Sequence, residues 1–125
     1  RAWGGNLLIN CAPKPNGEMP QLYYERMSEL SSWMRKNKEA FLDVEGGPYP
    51  ENCNLPVTVK GNKWYVYLID PVYDKVIISN TKEPIKVTLL STGEELLYNF
   101  ENNKITVYVS SINVNKLHEV VCVKW

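Results

Sequence analysis

Apolar and polar positions follow two rhythms along this chain, and the change falls near residue 46. Leu7-Leu8-Ile9 is a short apolar run without alternation. Such a run predicts a strand covered on both faces, as in a parallel sheet. Gly4-Gly5 ahead of it suits the stop of a helix, and Asn16-Gly17 behind it is a turn pair. Tyr23, Met27, Leu30 and Met34 then recur at helical spacing, and Trp33 widens the stripe. Pro20 suits the first turn of that helix, where its missing N–H is not needed. Glu25 and Glu29 lie towards its start and Arg35, Lys36 and Lys38 at its end, which matches the helix dipole. A helix is predicted over 20–38.

Residues 43–56 hold Gly46-Gly47-Pro48, Pro50, Asn52, Asn54 and Pro56, a linker composition. Beyond them the period becomes two. Strands are predicted over 57–60 and 63–69, joined by the two-residue loop Gly61-Asn62. Trp64, Val66 and Leu68 alternate there with Tyr65, Tyr67 and Ile69, which puts Tyr65 and Tyr67 on one face and Trp64 on the other. Further strands are predicted over 75–79, 85–90, 95–100, 104–109 and 119–125. Asp70-Pro71, Thr92-Gly93 and Asn102-Asn103 separate some of them. About seven short antiparallel strands in this span describe a small β-sandwich. The expected fold class is α+β: one strand-helix unit over 1–46, a linker over 47–55, and an antiparallel β-sandwich over 56–125.

Composition narrows the function classes. The chain has 125 residues, 44% hydrophobic and 22% charged, with 14 basic and 14 acidic side chains and a net charge of zero. Nucleic-acid binding needs a basic stripe, so no nucleic-acid partner is expected. A membrane partner is not expected either, because no apolar run approaches the roughly 20 residues of a transmembrane helix. Three widely spaced cysteines, Cys11, Cys53 and Cys122, give neither a disulfide framework nor a zinc pattern and read as buried or half-buried thiols.

Catalytic chemistry is sparse. Asp43, Asp70, Asp74 and the glutamates fall in turns, on the solvated helix face or at polar strand positions. Glu94-Glu95 is adjacent in sequence, but neighbours on a strand point to opposite faces. His118 is the only histidine, which excludes a multi-histidine metal site, and it reads as an ordinary strand residue. Gly4-Gly5 precedes the apolar run instead of following it, the wrong order for a phosphate loop. Trp64, Tyr65, Tyr67, Tyr98 and Tyr108 are open to two readings, a platform for stacking sugar rings or the filling of a sandwich core and interface.

Gly4-Gly5-Asn6-Leu7-Leu8-Ile9-Asn10, with Pro13, Asn16-Gly17 and Pro20 behind it, resembles a sequence mark of the retaining α-L-fucosidases. Trp33, Arg35, Lys36 and Asn37 match the end of the helix that follows in that family. Leu55-Pro56-Val57-Thr58, 63–68, Leu89-Leu90-Ser91-Thr92-Gly93 and 120–125 are similar to segments of its C-terminal β-domain. Ala12 stands where the family usually has glycine, and Asn16 where it often has aspartate.

The resemblance implies the last strand (6–10) and last helix (20–38) of a catalytic (α/β) barrel, with the β-sandwich behind them. It implies hydrolysis of terminal α-L-fucosyl linkages with retention by the intact enzyme, whose two carboxyls stand about 5–5.5 Å apart. The family's nucleophilic aspartate and sugar-gripping histidines lie earlier in the barrel, so no catalytic residue is expected in this chain and it is expected to be inactive alone. No metal or organic cofactor is implied. The partners implied are a fucosylated glycan, through the intact enzyme, and the remaining barrel portion. A periplasmic or secreted location is implied by the family. One substrate-binding candidate remains, Asn10, at a strand end where barrel enzymes collect function; its amide would bond a sugar hydroxyl, a neighbouring catalytic residue or loop backbone. The alternative to a fucosidase portion is a non-catalytic sugar-binding or structural β-sandwich module.

Overall fold

The computed structural model describes residues 1–69, 74–110, 112 and 118–125. The Asp70-Pro71 turn lies outside them. Helix α1 spans Gln21–Asn37, and a 3-10 turn, Lys38–Ala40, follows it. Pro20 sits one position ahead of the helix at φ −57°, ψ 144°, and its carbonyl accepts from the Tyr23 amide. Tyr23, Met27, Leu30, Trp33 and Met34 are all half-buried, so the stripe read from the sequence is real.

Eight strands follow: β1 Glu45–Gly46, β2 Val57–Lys60, β3 Lys63–Tyr67, β4 Lys75–Ile78, β5 Lys86–Leu89, β6 Tyr98–Glu101, β7 Lys104–Tyr108 and β8 Val120–Lys124. They form a five-stranded sheet in the order β1-β2-β3-β8-β5 and a three-stranded sheet in the order β4-β7-β6. Every pairing is antiparallel. The tight loops are set by local chemistry. Gly61 at φ +57° joins β2 to β3, and Asn102 and Asn103 at φ +51° and +58° join β6 to β7. Asparagine tolerates this left-handed region.

The core lies between the sheets. Val57, Val66, Val87, Val121 and Val123 of one sheet meet Val76, Ile78, Ile105 and Val107 of the other, with Cys53 and Leu55 at the edge. A second, smaller cluster lies on the outer face of the larger sheet. There Tyr65, Val120 and Cys122 pack against Ala40 and Val44, with Trp33, Tyr67 and Leu90 around them. The larger sheet is thus covered by a sheet on one side and by the end of α1 on part of the other. The glycines at 46 and 47 serve close packing: a Cβ on Gly46 would stand 2.7 Å from the Ala2 carbonyl oxygen, and one on Gly47 2.7 Å from Val57 Cγ1.

Two sequence expectations change. The strand expected at 6–10 does not form: no strand pairs with it among the described residues, and Leu7, Leu8 and Ile9 are 76%, 82% and 53% exposed. A parallel strand draws its stability from neighbours on both sides, and this chain places none there. The strand expected at 95–100 runs from Tyr98 to Glu101. Residues 94–96 instead follow the edge of β5, where the Leu89 amide donates to the Glu94 carbonyl and the Leu96 amide to the Val87 carbonyl. The segment carries the chain from the larger sheet to the smaller.

Candidate functional site

Two regions carry the chemistry that the sequence singled out. The first is the junction of α1 with the outer face of the larger sheet. The 3-10 turn brings Glu39 and the Ala40 carbonyl over β2 and β3. The Thr58 hydroxyl donates to the Ala40 carbonyl at 2.7 Å and lies 3.1 Å from the Tyr67 hydroxyl, which also bonds that carbonyl. Tyr65 donates to Glu39 Oε1 at 2.8 Å, and the Lys63 ammonium pairs with the same carboxylate. Trp33 Nε1 donates to the His118 carbonyl at 2.6 Å, and an Arg1 guanidinium nitrogen to the Val44 carbonyl at 2.9 Å. The side-chain amide of Asn37, itself buried, turns back to the Trp33 carbonyl at 3.2 Å.

The electrostatics follow from these contacts. The hydrogen bonds from Lys63 and Tyr65 hold the Glu39 carboxyl below the usual carboxylate range. The same carboxylate raises Lys63. Burial first, and Glu39 second, push the Tyr65 phenol far above its ordinary value. This is the pattern of a fixed ion pair and a neutral phenol, with no group poised to exchange a proton near neutral pH.

The second region is the exposed segment around residues 6–10. Arg1 donates to Asn6 Oδ1 at 3.3 Å, and Cys11 Sγ lies 3.5 Å from Met19 Sδ. Lys14, Asn16 and Gly17 close a turn, with the Gly17 amide on the Lys14 carbonyl and φ +85° at Gly17. Asn10 lies on this segment, exposed to solvent. At the start of the chain, Arg1, Ala2, Trp3, Phe41, Pro56, Tyr67 and Ile69 line an apolar hollow of about 170 Å³.

The other candidates do not converge. Glu95 pairs with Lys86 at 2.8 Å on one edge, and the Glu94 amide donates to Thr92 Oγ1 at 3.2 Å in the adjoining turn. His118 is exposed. No group of three or more His, Cys, Asp or Glu side chains converges among the described residues. All three cysteines are free, Cys53 and Cys122 buried and Cys11 half-buried, and burial lifts the Cys53 thiol to about 11. The aromatics are split: Tyr65 and Tyr67 belong to the cluster under α1, and Trp64 and Tyr98 border the core. Tyr108 faces outward with the Lys75 ammonium 5.7 Å from its ring centre. They do not make one platform. Sequence reasoning missed Glu39, which reads as one more solvated charge after a helix. Its partners lie 24 and 26 positions away, and no local pattern announces them.

The comparisons with known proteins bear on both regions. The family model described as alpha-L-fucosidase matches residues 2–39, the exposed segment together with α1. Human plasma alpha-L-fucosidase is 27% identical over 132 residues, which is 98% of this chain and 27% of the relative. Its rat counterpart is 28% identical over 134 residues. The Thermotoga maritima alpha-fucosidase, solved in complex with fucose, is 25% identical with a TM-score of 0.72; the match covers 98% of this chain and 31% of that one. An alpha-L-fucosidase isoenzyme of Paenibacillus thiaminolyticus is 22% identical with a TM-score of 0.79, over 96% of this chain and 30% of that one. Residues 2–39 thus resemble the α-L-fucosidase family, and the chain as a whole is similar to the C-terminal part of these longer proteins. It spans somewhat over a quarter of the length of the curated relatives it matches.

Proposed function

We propose that this chain acts as the C-terminal part of an α-L-fucosidase that hydrolyses terminal α-L-fucosyl linkages with retention. In this reading residues 1–46 complete a catalytic (α/β) barrel, with Glu45-Gly46 at their end already paired to the sandwich as β1, 47–55 connect, and 56–125 form the sandwich that braces it. The observation that carries it is the apolar segment Leu7-Leu8-Ile9. It is solvent-exposed and unpaired here, it lies within the span that matches the family model, and its composition suits a strand covered on both faces. Paired inside a barrel, each of these side chains would recover about 1.5–3 kcal/mol of burial. The nucleophile and the acid/base carboxyl belong to the barrel portion, with a fucosylated glycan as substrate. Asn10 then stands at the strand exit, where its amide reaches towards the sugar pocket.

The test is the coding DNA upstream of the Arg1 codon. An open frame that encodes the rest of a barrel, with a strand-end aspartate, is the expected result. A stop codon beside a nearby start would overturn the reading. For Asn10, the Asn10→Ala change in the complete enzyme is expected to lower kcat/KM; an unchanged kcat/KM with a lower Tm would leave it a purely structural role.

A further inference from the structure

The outer face of the larger sheet carries one feature that bracing does not use. Antiparallel register sets Lys63 opposite Lys124, and Lys124 opposite Lys86. Three lysines therefore stand abreast on adjacent strands β3, β8 and β5. Like charges directly opposite one another destabilise a sheet, so such a row calls for anions. Two of the three have one: Glu39 pairs with Lys63, and Glu95 pairs with Lys86 at 2.8 Å. For the central Lys124 no carboxylate lies within ion-pair distance among the described residues.

The row forms one wall of a cavity of about 320 Å³, lined further by Glu39, whose carboxylate is taken up by Lys63 and Tyr65, and by Thr88, Leu90, Gly93 and Cys122. Thr88 and Cys122 are themselves register partners and lie on the row next to the lysines, so a hydroxyl and a thiol stand beside the ammonium groups. Small-ligand sites begin near 300 Å³ and combine apolar walls with a few placed polar groups. That volume exceeds a bare oxyanion and suits one sugar ring.

We propose that this cavity binds an acidic sugar, one that bears a sulfate ester or a carboxylate, with Lys124 as the principal contact for the oxyanion. Lys63 and Lys86 flank it, held by Glu39 and Glu95, and Leu90 and Thr88 face the ring. The site is independent of the fucosidase reading, because it lies on β3, β5, β8, the 3-10 turn and the turn after β5, and uses no part of residues 1–20.

The test uses the whole 125-residue chain and amide NMR shifts, with four probes: galactose 6-sulfate, glucuronic acid, sodium sulfate and galactose. Saturable shifts at Thr88, Cys122 and Lys124 are expected with at least one acidic sugar, and whichever of the two binds tighter names the anion. Sodium sulfate is expected to bind more weakly, and galactose to leave these amides unmoved. Lys124→Gln should weaken the binding about tenfold, the usual scale of one charge-assisted hydrogen bond. Lys60→Gln, whose ammonium pairs with Asp43 outside the cavity, should not change it. Absence of saturation with both acidic sugars overturns the proposal, as does equal binding by a folded Lys124→Gln variant. Galactose that matches the acidic sugars removes the anion, and sulfate that matches them removes the sugar.

Discussion

The N-terminal segment and the sandwich interior are both rich in branched apolar side chains, yet the molecule treats them oppositely. Leu7, Leu8 and Ile9 stand in solvent, whereas Val57, Val66, Val76, Ile105 and Val107 are wholly enclosed. Hydrophobicity is the same in kind; what differs is supply of partners. Antiparallel strands recruit neighbours through two-residue loops such as 61–62 and 102–103. A parallel strand needs neighbours delivered through long crossovers. The sandwich strands find their partners within this chain, whereas among the described residues none pairs with the segment around residue 8. Between them lies the junction at Glu39 and Ala40, where hydrogen bonds and an ion pair rim the small apolar cluster under α1.

Hydrogen exchange should show the largest contrast. Amides of β3 and β8, central in the larger sheet, are expected to exchange orders of magnitude more slowly than those of residues 5–12. Uniform protection across both would break the comparison. Thiol alkylation samples the same contrast: Cys11 should react in the folded protein, whereas Cys53, buried and lifted to about 11, should react only on unfolding. Mass spectrometry after a short iodoacetamide pulse checks this, and early labelling of Cys53 would count against the described core.

Substitutions should follow in order of burial. Ile105→Ala is expected to cost about 2–5 kcal/mol in denaturant unfolding, while Leu8→Ala should stay within about 0.5 kcal/mol. At the junction, Thr58→Val removes one of the two hydroxyls on the Ala40 carbonyl and should cost about 1 kcal/mol.

The smallest effect is a pH dependence. The Glu39 carboxyl is held down by Lys63 and Tyr65, so its stabilisation is fully present above the unfolded carboxylate range. It is lost as pH falls through the lowered folded value. Both side chains of the pair are more than a third exposed, at 35% for Lys63 and 44% for Glu39, so solvent screening limits the gain to well under about 1 kcal/mol. Glu39→Gln should flatten the acid limb of the Tm profile below pH ~4.5 without altering its shape near neutrality. An acid limb identical to that of the parent chain would show that the pair contributes nothing.

Much of the sandwich could be read from the sequence because its determinants are local. Period-two alternation placed β2, β3, β4, β5, β7 and β8, and Gly61 and the Asn102-Asn103 pair set their loops. The helical stripe likewise gave α1. Sheet order was not legible, because β8 enters between β3 and β5 through contacts far apart in sequence. The edge-following course of residues 94–96 has the same origin, since it depends on a β5 already in place. Of the candidate residues, Asn10 was singled out as the end of a predicted barrel strand. Glu39 and the lysine row were not, because residues 63, 86 and 124 meet only through register.

Strand β3 has neither face free. Trp64 and Val66 serve one cluster, and Tyr65 and Tyr67 the other. Its tolerance of insertions is therefore a question of parity. One residue added inside the strand exchanges valine for tyrosine on both sides at once, driving two phenols towards the core and leaving the Ala40 carbonyl without one of its hydroxyls. Two residues restore every side chain to its own face and only lengthen the hairpin. Among natural length variants of this strand, even steps should therefore survive where odd ones are purged.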